Sequence, residues 1–243
     1  MHHPQKTVSL IMSVFNEENT IKEVLTKLKS ITYINEIIVV DNGSTDKSLT
    51  FIIDCQADDK RIKLLSIKKN RGLGKAINLA IKNTTCDIVV RQDADLEYDP
   101  SELINLVEII DKNIADVVYG SRMLVRKAHK VHYYYSYIAN KIITTFSNLF
   151  TNLVHSDVET AAKAFDGKIV RSIDWKSSGF EIENEMTIKL KRIGCTFYEI
   201  PYSYYGRKFD EGKKIKVIDG FKAIFYIFYY SIAQLFITHK VKK

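Results

Sequence analysis

Cysteine is scarce. The three residues, Cys55, Cys86 and Cys195, are odd in number, far apart and without a CxxC pair. They offer neither a disulfide framework nor a cysteine-built zinc site, and point to a reducing interior compartment. Proline and glycine are also few, at 3 and 10, which argues against low-complexity or linker-rich segments. The longest apolar stretch, Ala223 to Thr238, has 16 residues and includes Ser231 and Gln234, short of the ~20 that a spanning helix needs. The start, Met1-His2-His3-Pro4, is polar and carries no secretory pattern. Acid is the minority charge, 29 Asp and Glu against 36 Lys and Arg, a net +7. That balance favours anionic partners: nucleic acid, acidic lipid or phosphorylated small molecules.

What is present is a core. The chain has 243 residues and is 46% hydrophobic, enough for one large domain or a domain with an appendage. Val8 to Val14 (VSLIMSV), Glu36 to Val40 (EIIVV), Ile62 to Ile67, Asp87 to Val90 (DIVV) and Asp116 to Tyr119 (DVVY) read as buried strands. Between them lie helical patterns: Ile21, Val24, Leu25 and Leu28; Leu49, Ile52 and Ile53 after a start at Thr45 or Asp46; the stretch after "NRGLG"; and a helix from Pro100. This alternation predicts an α/β fold with a mostly parallel sheet covered on both faces. In the second half, Tyr133 to Leu153 is aromatic and apolar, Phe180 to Ile193 is an acidic helix and Cys195 to Tyr202 a strand.

The polar, glycine-bearing segments "DNGSTD", "NRGLG", "RQDADLEY" and "GSR" all fall at the carboxyl ends of these strands, where ligands bind in such sheets. Within "DADLEYDP", Asp99 suits a helix cap, with Pro100 in the first turn and Glu102 placed to close a capping box. Asp93, Asp95 and Glu97 are left over. At i, i+2 and i+4 on an extended backbone they would share a face, either as a solvated acidic turn or as a cradle for Mg²⁺ or Mn²⁺, which prefer oxygen ligands. Asp41 can cap the turn at Gly43 or accept hydrogen bonds from a base or ribose. Asn70, Arg71 and Gly72 precede a helix N-terminus that favours an anion, but the P-loop spacing is missing.

Together, "VSLIMSVFNEEN", "IIVVDNGSTD", "NRGLGKAINLAI", "DADLEYDPSEL", "VVYGSRM" and "YYGRKFDEGKKIK" resemble family-2 glycosyltransferases of the GT-A fold, most nearly the dolichol-phosphate mannose synthase-like group with its bacterial polyprenyl-phosphate members. The resemblance runs from about Val8 to about Ile232. It implies a GT-A catalytic domain over residues 1–212 and a basic, aromatic helical tail over 213–243. It implies a nucleotide-sugar donor held around Ser13, Phe15, Glu17, Asp41, Gly43, Arg71 and Lys75. Asp93 would face ribose and diphosphate, and Asp95 with Glu97 would bind the divalent cation. Glu97 stands where that group often has Gln. Arg122, Arg207, Lys213 and Lys214 would approach the phosphates. Ser13 replaces the usual Pro of the first motif, and Ala161 and Ala162 replace a bulkier pair.

The resemblance further implies inverting transfer to a polyprenyl phosphate. A lipid phosphate is largely ionised near neutral pH and needs no base. A saccharide hydroxyl, the alternative acceptor, needs one, with Asp157, Glu159 and Glu185 as candidates. Asp157 and Glu159 read equally well as loop polarity, and Glu181 and Glu183 as surface charge. The basic, aromatic tail would lie on an anionic membrane surface at its cytoplasmic face or pack on the domain or in a homodimer. Two other functions fit less well. A sugar-1-phosphate nucleotidyltransferase would want a Gly-rich, basic loop where "FNEEN" stands, and a nucleic-acid-binding protein would show a recognisable module, which is absent.

Overall fold

The computed structural model describes residues 4–124, 130–131, 133–207 and 217–233. The expected strands form: β1 (Val8–Val14), β2 (Glu36–Asp41), β3 (Ile62–Ser66), β4 (Ile88–Arg91) and β5 (Val117–Ser121). Each of the first four is followed by a helix: α1 (Ile21–Lys29), α2 (Ser48–Asp58), α3 (Leu73–Lys82) and, after a 3₁₀ turn at Pro100–Glu102, α4 (Leu103–Asp111). The second half adds α5 (Tyr134–Thr151), β6 (Lys163–Asp166), α6 (Gly167–Ser172), α7 (Ile182–Arg192), β7 (Phe197–Pro201) and α8 (Val217–Ala233).

One seven-stranded sheet has the order β3-β2-β1-β4-β6-β5-β7. All neighbours are parallel except at β6, which runs against both β4 and β5. The sequence reading did not single out β6, because "KAFD" is too short to show a period and carries a lysine. Its reversed direction puts its amino end at the same sheet edge as the carboxyl ends of β4 and β5.

Alternation along β1 explains the two cores. Leu10, Met12 and Val14 face the cluster that includes Val24 and Leu28 of α1, Ile52 of α2 and Leu106 of α4, whereas Ile11 faces α3, α7 and α8 on the other side. Both faces are therefore covered, as a mostly parallel sheet requires. On α8, Ala223, Ile227 and Tyr230 pack into that second core, and the helix lies against α5 and α7.

The cap at Asp99 forms, its carboxylate accepting from the Ser101 N–H at 2.9 Å. Glu102 reaches elsewhere as well: its carboxylate accepts from the Ser203 N–H at 2.9 Å and hydroxyl at 2.7 Å. That ties the start of α4 to the chain beyond β7.

Candidate active site

Every loop singled out by sequence lies at one edge of the sheet. Ser13, Phe15 and Glu17 lie at and beyond the end of β1, Asp41 and Gly43 at that of β2, the acids after β4, and Arg122 after β5. Arg71 and Lys75 flank the start of α3, both exposed. Asp41 is buried and accepts from the Ser44 N–H at 3.2 Å and the Ser66 hydroxyl at 3.5 Å. Gly43 (φ 77°) has no room for a side chain, since a Cβ there would lie 2.6 Å from the Asn70 nitrogen. The neighbouring Asn42 amide donates to the Gly72 carbonyl at 3.1 Å, and its oxygen accepts from the Arg71 N–H at 3.1 Å. These contacts fasten the "DNG" and "NRG" loops into one unit. Lys213 and Lys214 lie outside the described residues.

The acidic segment is not extended. Leu96 has φ 60° and Asp95 accepts from the Glu97 N–H at 3.1 Å, so a turn replaces the shared strand face that period 2 predicts. The carboxylates diverge. Asp93 turns to Arg91, 3.3 Å away. Asp95 and Glu97 meet Arg207, whose guanidinium lies 3.0 Å from Asp95, 3.0 Å from Glu17 and 3.4 Å from Glu97. The Arg207 N–H also donates to Glu97 at 2.7 Å, and the Tyr204 hydroxyl to the same carboxylate at 2.8 Å. Arg207 thus sits on the acids, not on the surface of a basic loop. Burial, with Asp93 and Glu97 nearby, pushes the Asp95 carboxyl up to about 8, and burial raises Asp93 too. Acids so placed favour added positive charge. Among the described residues no cluster of three or more His, Cys, Asp or Glu is set to hold a metal. Asp95 and Glu97, however, converge on one guanidinium, and two carboxylates are what Mg²⁺ commonly takes from a protein, with water and phosphate completing the shell.

Behind Asp93 lies a charged group that sequence reasoning missed. Arg91, Lys163 and Glu183 are all buried, and Glu183 accepts from both cations. Burial opposes ionisation of Glu183, but Arg91 and Lys163 outweigh it and hold the carboxyl below its usual range. Lys163 also donates to the Val158 carbonyl at 3.1 Å and lies 4.5 Å over the Tyr119 ring. The available signal was a base inside an apolar strand, in "IVVR" and "AAKAF", which demands a buried counter-charge.

The three base candidates separate. Asp157 is fully buried and bidentate to Arg122 at 2.6 and 2.7 Å, with the Asn140 amide at 2.8 Å. Burial alone would raise its pKa, yet Arg122 holds the carboxyl below the usual range, which makes it a poor proton acceptor. Glu185 is fully buried and accepts from the Lys176 and Ser177 N–H groups at 2.8 and 2.7 Å, paired with Lys189. It fastens a loop, and a base role does not fit that commitment. Glu181 and Glu183, expected on the surface, are buried as well. Glu159 differs: it is half-buried, accepts from the Asn184 amide at 2.6 Å, and is raised to about 7 by burial and by Glu183. Arg122 spends its Nε and Nη2 on Asp157 and lies 5.2 Å over the Tyr204 ring.

Residues 9–173 match the family described as glycosyl transferase family 2. An uncharacterized protein of Methanocaldococcus jannaschii is 28% identical over 223 residues, 90% of this chain and 89% of the relative. An uncharacterized glycosyltransferase of Synechocystis sp. is 39% identical over 124 residues, 47% of this chain and 37% of the relative. Among solved structures, glucosyl-3-phosphoglycerate synthase of Mycobacterium tuberculosis with UDP superposes with TM-score 0.72 at 16% identity, covering 97% of this chain and 82% of the other. The same enzyme with Mn²⁺, UDP-glucose and phosphoglyceric acid gives 0.71 at 18% identity over 93% and 80%. At such identity the likeness establishes the GT-A fold.

Proposed function

This chain belongs to glycosyl transferase family 2, and from that premise we propose that it is an inverting, metal-dependent enzyme moving a sugar from a nucleotide-sugar donor to a polyprenyl phosphate, at the cytoplasmic face of a membrane. The observation that carries the donor half is the acidic pocket after β4, where Asp95 and Glu97 converge on a single cationic group. The solved enzyme that shares the fold holds Mn²⁺ and UDP-glucose, which supports the same ligand classes here.

In this reading the fastened loops carrying Asp41, Gly43 and Arg71 bind the nucleoside, with Ser13, Phe15 and Glu17 beside them and Lys75 near the diphosphate. Asp95 and Glu97 would hold Mg²⁺ or Mn²⁺, which when bound offsets charge on the departing diphosphate. Arg207 exchanges its carboxylate contacts for phosphate contacts, joined by Lys213 and Lys214. Asp93, braced by Arg91, orients the donor. Arg122, oriented by its bidentate contact with Asp157, approaches the phosphates. A phosphate acceptor, with second pKa about 6, attacks the anomeric carbon without surrendering a proton.

Glu159 favours a second reading. Raised to about 7 and only half-buried, it suits a general base for a saccharide hydroxyl. A panel of UDP- and GDP-sugars with Mn²⁺ or Mg²⁺ decides, offering undecaprenyl phosphate or oligosaccharides and measuring glycosylated product and released nucleoside diphosphate. Glycolipid product supports the first reading. Transfer confined to oligosaccharides replaces it with the second, and no transfer to either overturns both.

A further inference from the structure

The helix α8 is apolar on two sides. Ala223, Ile227 and Tyr230 point into the core. Phe225, Tyr229 and Ile232, spaced by three and four residues, form a second stripe that faces outward, with Phe225 63% exposed. The neighbouring α5 does the same. Ile143, Thr144, Ser147 and Thr151 are buried, while Tyr135 is 86% and Leu149 72% exposed. The two helices meet through Phe228, whose ring lies 4.8 Å from Phe150 and 6.0 Å from Phe146. Their outward aromatic and aliphatic side chains therefore flank a shared seam. Single exposed apolar residues need no explanation, but a patch on adjacent helices marks a contact surface.

Charge selects the occupant. Residues 134–151 contain no Asp or Glu and one Lys, Lys141, which is exposed; on α8, Lys222 is exposed at the head of the outward stripe. In sequence, Lys213, Lys214 and Lys216 precede that stripe and Lys240, Lys242 and Lys243 follow it. Two copies meeting across this face by a two-fold axis would set like charges together. Tyrosine and phenylalanine mixed with lysine, with Asp219 the one acid of the two helices, instead match the headgroup region of an anionic bilayer. Among the described residues no helix is long and apolar enough to cross a membrane, so the contact lies in the plane of the surface.

The face is also coupled to the site. Asn140 of α5 donates to Asp157, the partner of Arg122, and Lys130, shortly before α5, donates to the carbonyl of Gly206 at 2.5 Å, beside Arg207. We infer that the outward face of α5 and α8 seats the enzyme on an anionic lipid surface and brings the site's edge to a membrane-borne acceptor. This inference rests on the polyprenyl-phosphate reading for its purpose, though not for its test.

The full-length protein is sedimented with pure phosphatidylcholine vesicles and with vesicles of equal parts phosphatidylcholine and phosphatidylglycerol. Binding is expected to the anionic vesicles, to weaken with salt, and to fall about tenfold or more in the double variant Phe225→Ser, Leu149→Ser. Neither residue touches the donor or acceptor groups, so the variant's UDP and GDP binding serves as the folding check. Absence of vesicle binding, or binding that the substitutions leave unchanged, overturns the inference. So does a concentration-dependent dimer that the same substitutions dissociate, which assigns the face to a second copy. Failure of glycosyl transfer in the sugar-nucleotide panel leaves these sedimentation results standing, so the two failures are told apart.

Discussion

Removing the guanidinium of Arg207 leaves Glu17, Asp95 and Glu97 without the cation they now share. In the absence of donor, Arg207→Met should bind Mn²⁺ at least about tenfold more tightly, since unit charges ~4 Å apart interact by several kcal/mol even at partly screened dielectric. Electron paramagnetic resonance of free Mn²⁺ measures this, and unchanged affinity would mean that Arg207 and the metal use separate ground. The same variant should transfer sugar more slowly, because the phosphates lose a counter-charge. Asp95→Asn should act differently. Transfer falls at least about a hundredfold, while the melting temperature of the donor-free protein holds or rises, because a neutral amide ends repulsion with Asp93 and Glu97. At Glu159 the folded protein keeps a proton to about 7 that a free carboxyl, at 4.5, would have lost. The folded state thus binds more protons between those values, and its stability falls as pH rises through them. Glu159→Gln should flatten that slope in denaturant titrations at pH 5 and 7.5. A slope unchanged by the substitution would assign the raised pKa to another group.

Elements hold these residues through a few close contacts. Gly72 has φ 89°, and a Cβ there would sit 2.2 Å from the Ser178 carbonyl oxygen. Gly72→Ala therefore displaces the loop ahead of α7 or the start of α3, and should cost about 2 kcal/mol or more in urea unfolding. Glu183→Leu leaves Arg91 and Lys163 without their shared acid, and should cost roughly 3–5 kcal/mol. The strands and helices up to β5 were legible because apolar runs alternate with 3.6-residue stripes. Past β5 the pattern weakens: β6 has four residues, and its lysine disguises a buried strand. Glu183 of α7 read as solvent charge because its partners, Arg91 and Lys163, come from strands 92 and 20 positions away in sequence. The site's location at the strand ends was legible from topology alone. The division of labour among its acids was not, since it depends on the turn at Leu96 and on Arg207, a residue 112 positions from Asp95.

For the whole molecule, ligand and fold are linked. UDP or GDP with Mn²⁺ should raise the melting temperature more than Mn²⁺ alone, with about 2.7 kcal/mol of stabilisation at a hundredfold excess over Kd. Calorimetry with each nucleotide then reports which base is preferred, and equal, negligible shifts for both would count against a nucleotide-sugar donor. The net +7 supplies long-range attraction for such anions, and it weakens with salt.

The order of the sheet has a consequence for descent and engineering. The strands β1 to β4, with their helices, are one continuous stretch of chain ending at Asp111, and β5 to β7 with the remaining helices are another. The two stretches meet at the β4–β6 ladder. The proposed nucleotide loops belong to the first and the proposed acceptor groups to the second, so a single crossover near residues 112–116 would recombine one relative's donor preference with another's acceptor preference. Among the contacts such a chimera must inherit as matched sets are Arg91 with Glu183, Arg207 with Glu17, Asp95 and Glu97, and Ser203 with Glu102.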